Sequence, residues 1–345
     1  MCSLGNIMKK IFIICVLMFS LLTVGCLKRL EKKMDVSSFR QEEEVKVDGD
    51  TKEERKGLEI VGNEDKVIEN VANTDEEYGA SEGYIKGRKD TDTFKYQRLK
   101  GEINSSLLDR VVLEKEENDK HAWWLRLNGN HEVSGIDPYA ERLIQDYDII
   151  YAGDTSKKIV YLTFDEGYEN GYTPMILDTL KENDVSAIFF ITGAYLKKNP
   201  DLVKRMLDEG HEVGSHSVNH PSFPDLAFKD YDKLESEMLD LEQEFYDKFG
   251  IGFKYIRPPR GEYSKRTLKA AMQMGYKNVF WSYAYKDYDV NDQRGEDYAY
   301  NKVMDHLHNG MVVLLHAVSK DNANALDRMI KDIKSNGYTI APFDL

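Results

Sequence analysis

Ile159-Val160-Tyr161-Leu162-Thr163-Phe164-Asp165-Glu166-Gly167 is a β-branched, apolar run that ends in two adjacent carboxylates and a glycine. Its first half has the composition of a buried strand. Charges at a strand end cost free energy unless something pairs with them. An acidic strand-to-loop turn would also give this pattern, so the weight falls on what the other strand ends hold.

Downstream of this run, short apolar segments alternate with amphipathic ones. Strands are expected at 159–164, 186–191, 212–215, 255–257, 279–283, 311–316 and 338–341, with helices at 173–182, 200–209, 231–249, 264–274, 296–307 and 322–334. Gly210, Gly250, Gly275 and Gly310 sit where helices should stop. Such alternation predicts an α/β fold with a mostly parallel sheet, either open or closed into a barrel. In both forms, functional residues gather at the C-terminal ends of the strands.

Those ends hold Asp165-Glu166, His216 with His220, Arg257, Asp287 and His316. The spacing His216-Ser-Val-Asn-His220 points two imidazoles the same way and suits a shared metal, although unrelated surface histidines give it too. Two neutral nitrogens beside a carboxylate, with a position left open, is the arrangement of a catalytic zinc or a similar ion. In Arg257-Pro-Pro-Arg-Gly-Glu-Tyr263 the paired prolines end the strand and stiffen the loop. A stiff loop holds an arginine and backbone donors in fixed positions, useful for a developing oxyanion. Leu314-Leu-His316 closes an apolar strand with a histidine that would pass for a half-buried structural residue if it stood alone.

The rest of the chain bounds the function. A net charge of -14 over 345 residues argues against nucleic acid as a partner. Lys9-Lys10 precede an apolar run, 11–25, that stops at Cys26 and Lys28-Arg29, the pattern of a bacterial export signal. It is shorter than the ~20 residues of a comfortable spanning helix. Gly25-Cys26 resembles a lipoprotein cleavage site, with an uncleaved membrane anchor or ordinary cleavage as the other outcomes. The expectation is an exported protein of the cell envelope, held at the membrane through residues 1–26 and facing the wall. Cys2, Cys15 and Cys26 all lie in this segment, so no disulfide staples the remainder. Residues 27–119 are rich in Glu, Lys, Asp and Asn with few aliphatics, the composition of a mostly disordered tether. Order is expected from about residue 120, near His121-Ala-Trp-Trp-Leu-Arg-Leu-Asn128, with a helix over 138–146 capped by Asp137.

Taken in order, these motifs resemble the polysaccharide deacetylase family, carbohydrate esterases marked by T-F-D-D-G, H-[ST]-x-x-H, R-P-P-[YF]-G, a D-W element and L-x-H. The subgroup most similar is the delta-lactam-biosynthetic de-N-acetylases of spore cortex peptidoglycan. It is matched by the stretch from Thr163 to Thr173, by Arg257–Gly261, by Phe280-Trp281-Ser282, by Leu314–Ala323 and upstream by Asn130-His131-Glu132. The resemblance covers residues 120–345 and implies a distorted, seven-stranded (β/α) barrel. It implies Asp165 as general base, His216 and His220 as ligands of a divalent metal such as zinc, and His316 as general acid. Arg257 would tune Asp165 and Asp287 would tune His316. Arg260, Gly261 and Tyr168 would face substrate and oxyanion.

Four positions depart from the family pattern. Glu166 stands where a second aspartate ligand is usual, one methylene longer. Arg260 replaces an aromatic residue and adds a cation suited to a lactyl carboxylate. Tyr288 stands where tryptophan is usual, and Ala284 replaces an aspartate. The implied function is metal-dependent removal of acetyl from N-acetylmuramic acid in peptidoglycan glycan strands, leading to muramic delta-lactam. Deacetylation of N-acetylglucosamine or another polysaccharide is the second reading. A catalytically weak wall-binding lipoprotein is a third.

Overall fold

The computed structural model describes residues 94–102 and 105–345. The proposed anchor at 1–26, and the tether as far as residue 93, lie outside the described residues. The main sheet contains β1 (Ile149–Ile150), β2 (Ile159–Glu166), β3 (Ile188–Ile191), β4 (Glu212–Ser215), β5 (Tyr255–Ile256), β6 (Lys277–Val279), β7 (Tyr283–Ala284), β8 (Met311–His316) and β9 (Thr339–Ile340). Its order is β7-β8-β2-β3-β4-β5-β6-β1, with β9 beside the start of β2, and every pairing is parallel. An isolated bridge between Ala152 and Met311, and a bond from the Gly153 N–H to the Gly310 carbonyl, bring the segment after β1 back to β8. The sheet is thus curled into the distorted barrel expected.

Helices among the described residues pack around it, including α1 (Thr173–Glu182), α2 (Gly193–Lys198), α3 (Pro200–Asp208), α4 (Phe223–Lys229), α5 (Tyr231–Phe249), α6 (Lys265–Gln273), α7 (Glu296–Met304) and α8 (Lys320–Ser335). Strand alternation divides the core. On β2, Val160, Leu162 and Phe164 join the large cluster under the helices, whereas Tyr161 joins Phe190, Tyr255, Val279 and Val312 in the barrel interior. Gly250 ends α5 in the left-handed region, at φ +71°, where a residue with a Cβ would be strained.

Several boundaries differ from expectation. The single strand expected over 279–283 is two, because the Phe280 N–H bonds the Ile150 carbonyl while the Ser282 N–H bonds the Val312 carbonyl. The chain therefore leaves one flank of the sheet and joins the other. The helix expected over 138–146 is confined to Pro138–Glu141, with the Asp137 side chain accepting from the Tyr139 N–H as its cap. Order also begins before residue 120. A short helix at Phe94–Leu99 contributes Leu99 to the core, a second at Arg110–Leu113 contributes Leu113, and the stretch just before the second adds Leu107 and Leu108. The tether boundary at 119 is thus too late by at least 26 residues, since 94 is the first residue described.

Candidate active site

The sheet delivers the site by register. His316 at the end of β8 lies beside Asp165 on β2, and Asp165 lies beside Phe190 on β3. Ile191 and Ser215 pair across β3 and β4, so the chain leaves β4 directly into His216. Arg257 follows β5, its N–H bonded to the Ser215 carbonyl.

Asp165 shares the interior face of β2 with Tyr161 and Thr163. Its Oδ1 accepts from Arg257 Nη1 at 2.6 Å, and its Oδ2 lies 3.5 Å from His216 Nε2. Burial acts to raise the carboxyl's pKa, but the Arg257 charge and the neighbouring imidazoles outweigh it, and the net shift is downward. Arg257 has no solvent exposure. Its Nη2 donates to Thr163 Oγ1 at 2.9 Å and its guanidinium lies 4.1 Å from the Phe190 ring centroid.

His216 Nδ1 is 2.9 Å from the Arg257 carbonyl, which can only accept, so that nitrogen carries the proton and Nε2 is left as a lone pair toward Asp165. The His220 ring lies 4.7 Å away, centroid to centroid. Burial lowers the pKa of both, and His220 falls to about 4 with the help of its neighbour. Two imidazoles kept neutral in a cavity are competent metal ligands.

On the other side, His316 Nδ1 donates to Asp287 Oδ1 at 2.7 Å, and the His316 backbone N–H donates to Asp287 Oδ2 at 2.8 Å. Burial works against the imidazolium, yet Asp287 prevails and the His316 pKa is raised. Asn322 Nδ2 also donates to Asp287 Oδ2, at 2.6 Å, and Tyr285 donates its hydroxyl to Asn322 Oδ1. Neither Asn322 nor Tyr285 stands out as a candidate in the sequence, because an amide and a phenol acting through another residue leave no spacing signal.

A cavity of about 810 Å³ connects these groups. Asp165, His216, His220 and His316 line it, as do Arg260, Gly261, Tyr168, Trp281 and Tyr288. Arg257 and Asp287 lie behind the residues they hold. Tyr168 and Tyr288 are about half exposed at its edge.

Two expectations need correction. Glu166 follows Val160, Leu162 and Phe164 onto the helix-facing side of β2 and does not line the cavity. Its Oε1 accepts from Thr173 Oγ1 at 3.3 Å, and burial, with Glu169 close by, pushes its pKa well up. A carboxyl that lies outside the cavity the imidazoles line does not serve as their fellow ligand. In the turn Pro259–Gly261, proline has no N–H and the Gly261 N–H is committed to the Pro258 carbonyl at 3.1 Å. Among the described residues of that turn, only the Arg260 N–H is left for an oxyanion.

The donor set for a metal is accordingly short: His216 and His220, with Asp165 beside them. Among the described residues, no three His, Cys, Asp or Glu side chains are gathered closely enough to enclose an ion by themselves. The neutral pair on an open cavity fits a catalytic site, which leaves positions for water and substrate.

Residues 152–279 match the polysaccharide deacetylase family model. The peptidoglycan-N-acetylmuramic acid deacetylase PdaA of Bacillus subtilis is 44% identical over 228 residues, 66% of this chain and 86% of that protein. The chain belongs to this family. The chain is also 48% identical to an uncharacterized 30.6 kDa protein of Geobacillus stearothermophilus, over 64% of its own length and 83% of that protein. The solved structure of Bacillus subtilis PdaA, a family 4 carbohydrate esterase, superposes with a TM-score of 0.63 at 43% identity, covering 66% of this chain and 97% of its own. The deacetylase is therefore a hydrolase of carbon–nitrogen amide bonds, in a family whose enzymes are in general metal-dependent.

Proposed function

We propose that this deacetylase removes the acetyl group from N-acetylmuramic acid in peptidoglycan, with Asp165 as base and His316 as acid. The observation that carries the chemistry is the pairing of Asp165 with His316 in register across β2 and β8, the pKa of one lowered by Arg257 and that of the other raised by Asp287. Groups whose environments push their pKa values apart in this way are suited to acid and base roles. The substrate follows from the similarity to PdaA and from Arg260. That side chain lines the cavity, and among the described residues no carboxylate pairs with it. It is a free cation for a lactyl carboxylate.

His216 and His220 would hold the metal, zinc in our reading. When bound, a divalent cation supplies Lewis-acid polarisation of the amide and makes water easier to deprotonate. Asp165 accepts the proton of the attacking water, with Arg257 fixing its orientation. His316 donates its proton to the departing nitrogen as the C–N bond breaks, so acetate leaves and a free amine remains. Asp287 keeps His316 charged until that step. Positioned acid and base groups of this kind typically contribute about 10²–10⁴-fold. Tyr168 and Tyr288 offer ring faces to the sugar at the cavity edge. The freed amine then stands next to the lactyl carboxyl, and muramic delta-lactam of the spore cortex type can close as the amine nitrogen displaces the carboxyl oxygen as water. The apolar run before Cys26 supports export and a membrane anchor facing the wall.

The test is mass spectrometry of peptide-free glycan strands incubated with the purified zinc-supplemented protein. Loss of acetyl from muramic residues is expected. Loss from glucosamine residues only would overturn the muramic assignment, and an inert protein at saturating metal would favour a wall-binding role.

A further inference from the structure

The loop that carries His216 and His220 is held in a conformation its sequence does not favour. Ser217 and His220 both have positive φ, +66° and +58°, without being glycine. Each such residue costs on the order of 1–3 kcal/mol and persists only where the surroundings impose it. Part of the restraint is local, since Ser217 Oγ accepts from the His220 N–H at 2.9 Å. The rest comes from α5. The carboxylate of Glu237, 4% exposed, accepts from the Asn219 backbone N–H at 2.8 Å and from Asn219 Nδ2 at 2.7 Å. The Glu237 carbonyl accepts from the Val218 N–H at 3.0 Å.

Three carboxylates of α5 are buried, and their partners differ. Glu235 accepts from Ser106 Oγ and the Leu107 N–H, and Glu242 accepts from the Phe253 N–H and pairs with Lys95. Glu237 alone of the three turns toward the histidine loop. It grips Asn219, the residue immediately before His220, which lines the cavity while Glu237 does not.

We infer that Glu237 is a positioning residue for the His216–His220 pair: its carboxylate fixes Asn219 so that His220 keeps the left-handed backbone that turns its ring into the cavity. This rests on the reading of the two histidines as metal ligands. Glutamine at 237 can keep the clamp, because its Oε1 accepts from the Asn219 N–H while the Asn219 amide turns over to accept from Nε2. Alanine cannot. Aspartate at 219 would set two carboxylates against each other and open the clamp from the loop side.

The experiment measures zinc affinity by chelator competition, together with melting temperature, kcat and KM, for the wild type and for E237A, E237Q, N219D and E235A. Groups that orient metal ligands typically change affinity about 10–100-fold when removed. E237A and N219D are expected to lose zinc affinity within that range and to lose kcat more than they raise KM. E237Q is expected to stay within about threefold of wild type, and E235A to lose stability with zinc affinity unchanged. Should E237A not fold, N219D decides alone. Wild-type affinity in folded N219D, or E237Q as impaired as E237A, would overturn the inference while leaving the metal site standing. A wild type that takes up no zinc would overturn the metal reading, and this inference with it.

Discussion

Asp165 and Glu166 are neighbours in sequence and opposites in chemistry. The period of two along β2 gives Asp165 the buried arginine and gives Glu166 the apolar underside of the helices, so one pKa falls and the other climbs. Asp165→Asn is expected to reduce turnover by about 10²–10⁴-fold while zinc binding persists; single-turnover rates alongside metal stoichiometry check this. Glu166→Gln should leave zinc affinity within about twofold, since it changes a side chain outside the cavity that His216 and His220 line. His316 gives a prediction in pH. Its pKa is raised by Asp287, so the protonated form that the proposed mechanism needs to expel the amine is present below that pKa and lost as pH rises through it. Asp287→Asn removes the support and leaves burial to lower the pKa. The alkaline limb of the kcat profile should therefore move to lower pH, with kcat down at least about 10²-fold. The candidate residues themselves are legible because each sits at a strand end. The direction Glu166 faces is not, because the alternation that pairs it with Phe164 does not say which side of the sheet is the barrel interior.

At the scale of elements, the loop after β5 shows how backbone conformation serves the site. Arg260 and Gly261 are both left-handed, at φ +61° and +64°, and this turn projects Arg260 into the cavity. A Cβ on Gly261 would come within 2.8 Å of Trp281 and 3.2 Å of the Trp123 Cβ. Trp123 braces the same loop, donating its backbone N–H to the Gly261 carbonyl at 2.7 Å and its indole N–H to the Trp281 carbonyl at 3.0 Å. Gly261→Ala should cost about 1–3 kcal/mol of stability. It should also lower kcat/KM for muramic substrates, and thermal melts with steady-state kinetics would register both. The long helices and apolar strands follow from periodicity, because they bury a full face. The short elements do not: α2 and α4 span fewer than two turns, and β1 is two residues held by its neighbours, too little chain for a period to show.

The whole molecule is larger than its composition advertises. Residues 94–119 have the polar character of a tether, yet Leu99, Leu107, Leu108 and Leu113 within them are buried, Leu113 wholly so. Lys95 donates to the Phe253 carbonyl at 2.7 Å and pairs with Glu242 at 3.0 Å, beneath α5. Composition averages over a window, and here four leucines and one lysine carry what the average conceals. A chain shortened to begin at residue 94 keeps all of these contacts. One beginning at residue 120 loses Leu99, Leu107, Leu108 and Leu113, each contributing about 1.5–3 kcal/mol by burial. It also strips Lys95 from a carboxylate with no solvent exposure, a change that typically costs about 3–5 kcal/mol. For a domain of this size, 1 kcal/mol corresponds to about 2–4 °C, so the shorter chain should melt more than about 10 °C lower or fail to fold. Equal melting temperatures for the two chains would show that the segment merely rests on the barrel, and would return the domain boundary to residue 120.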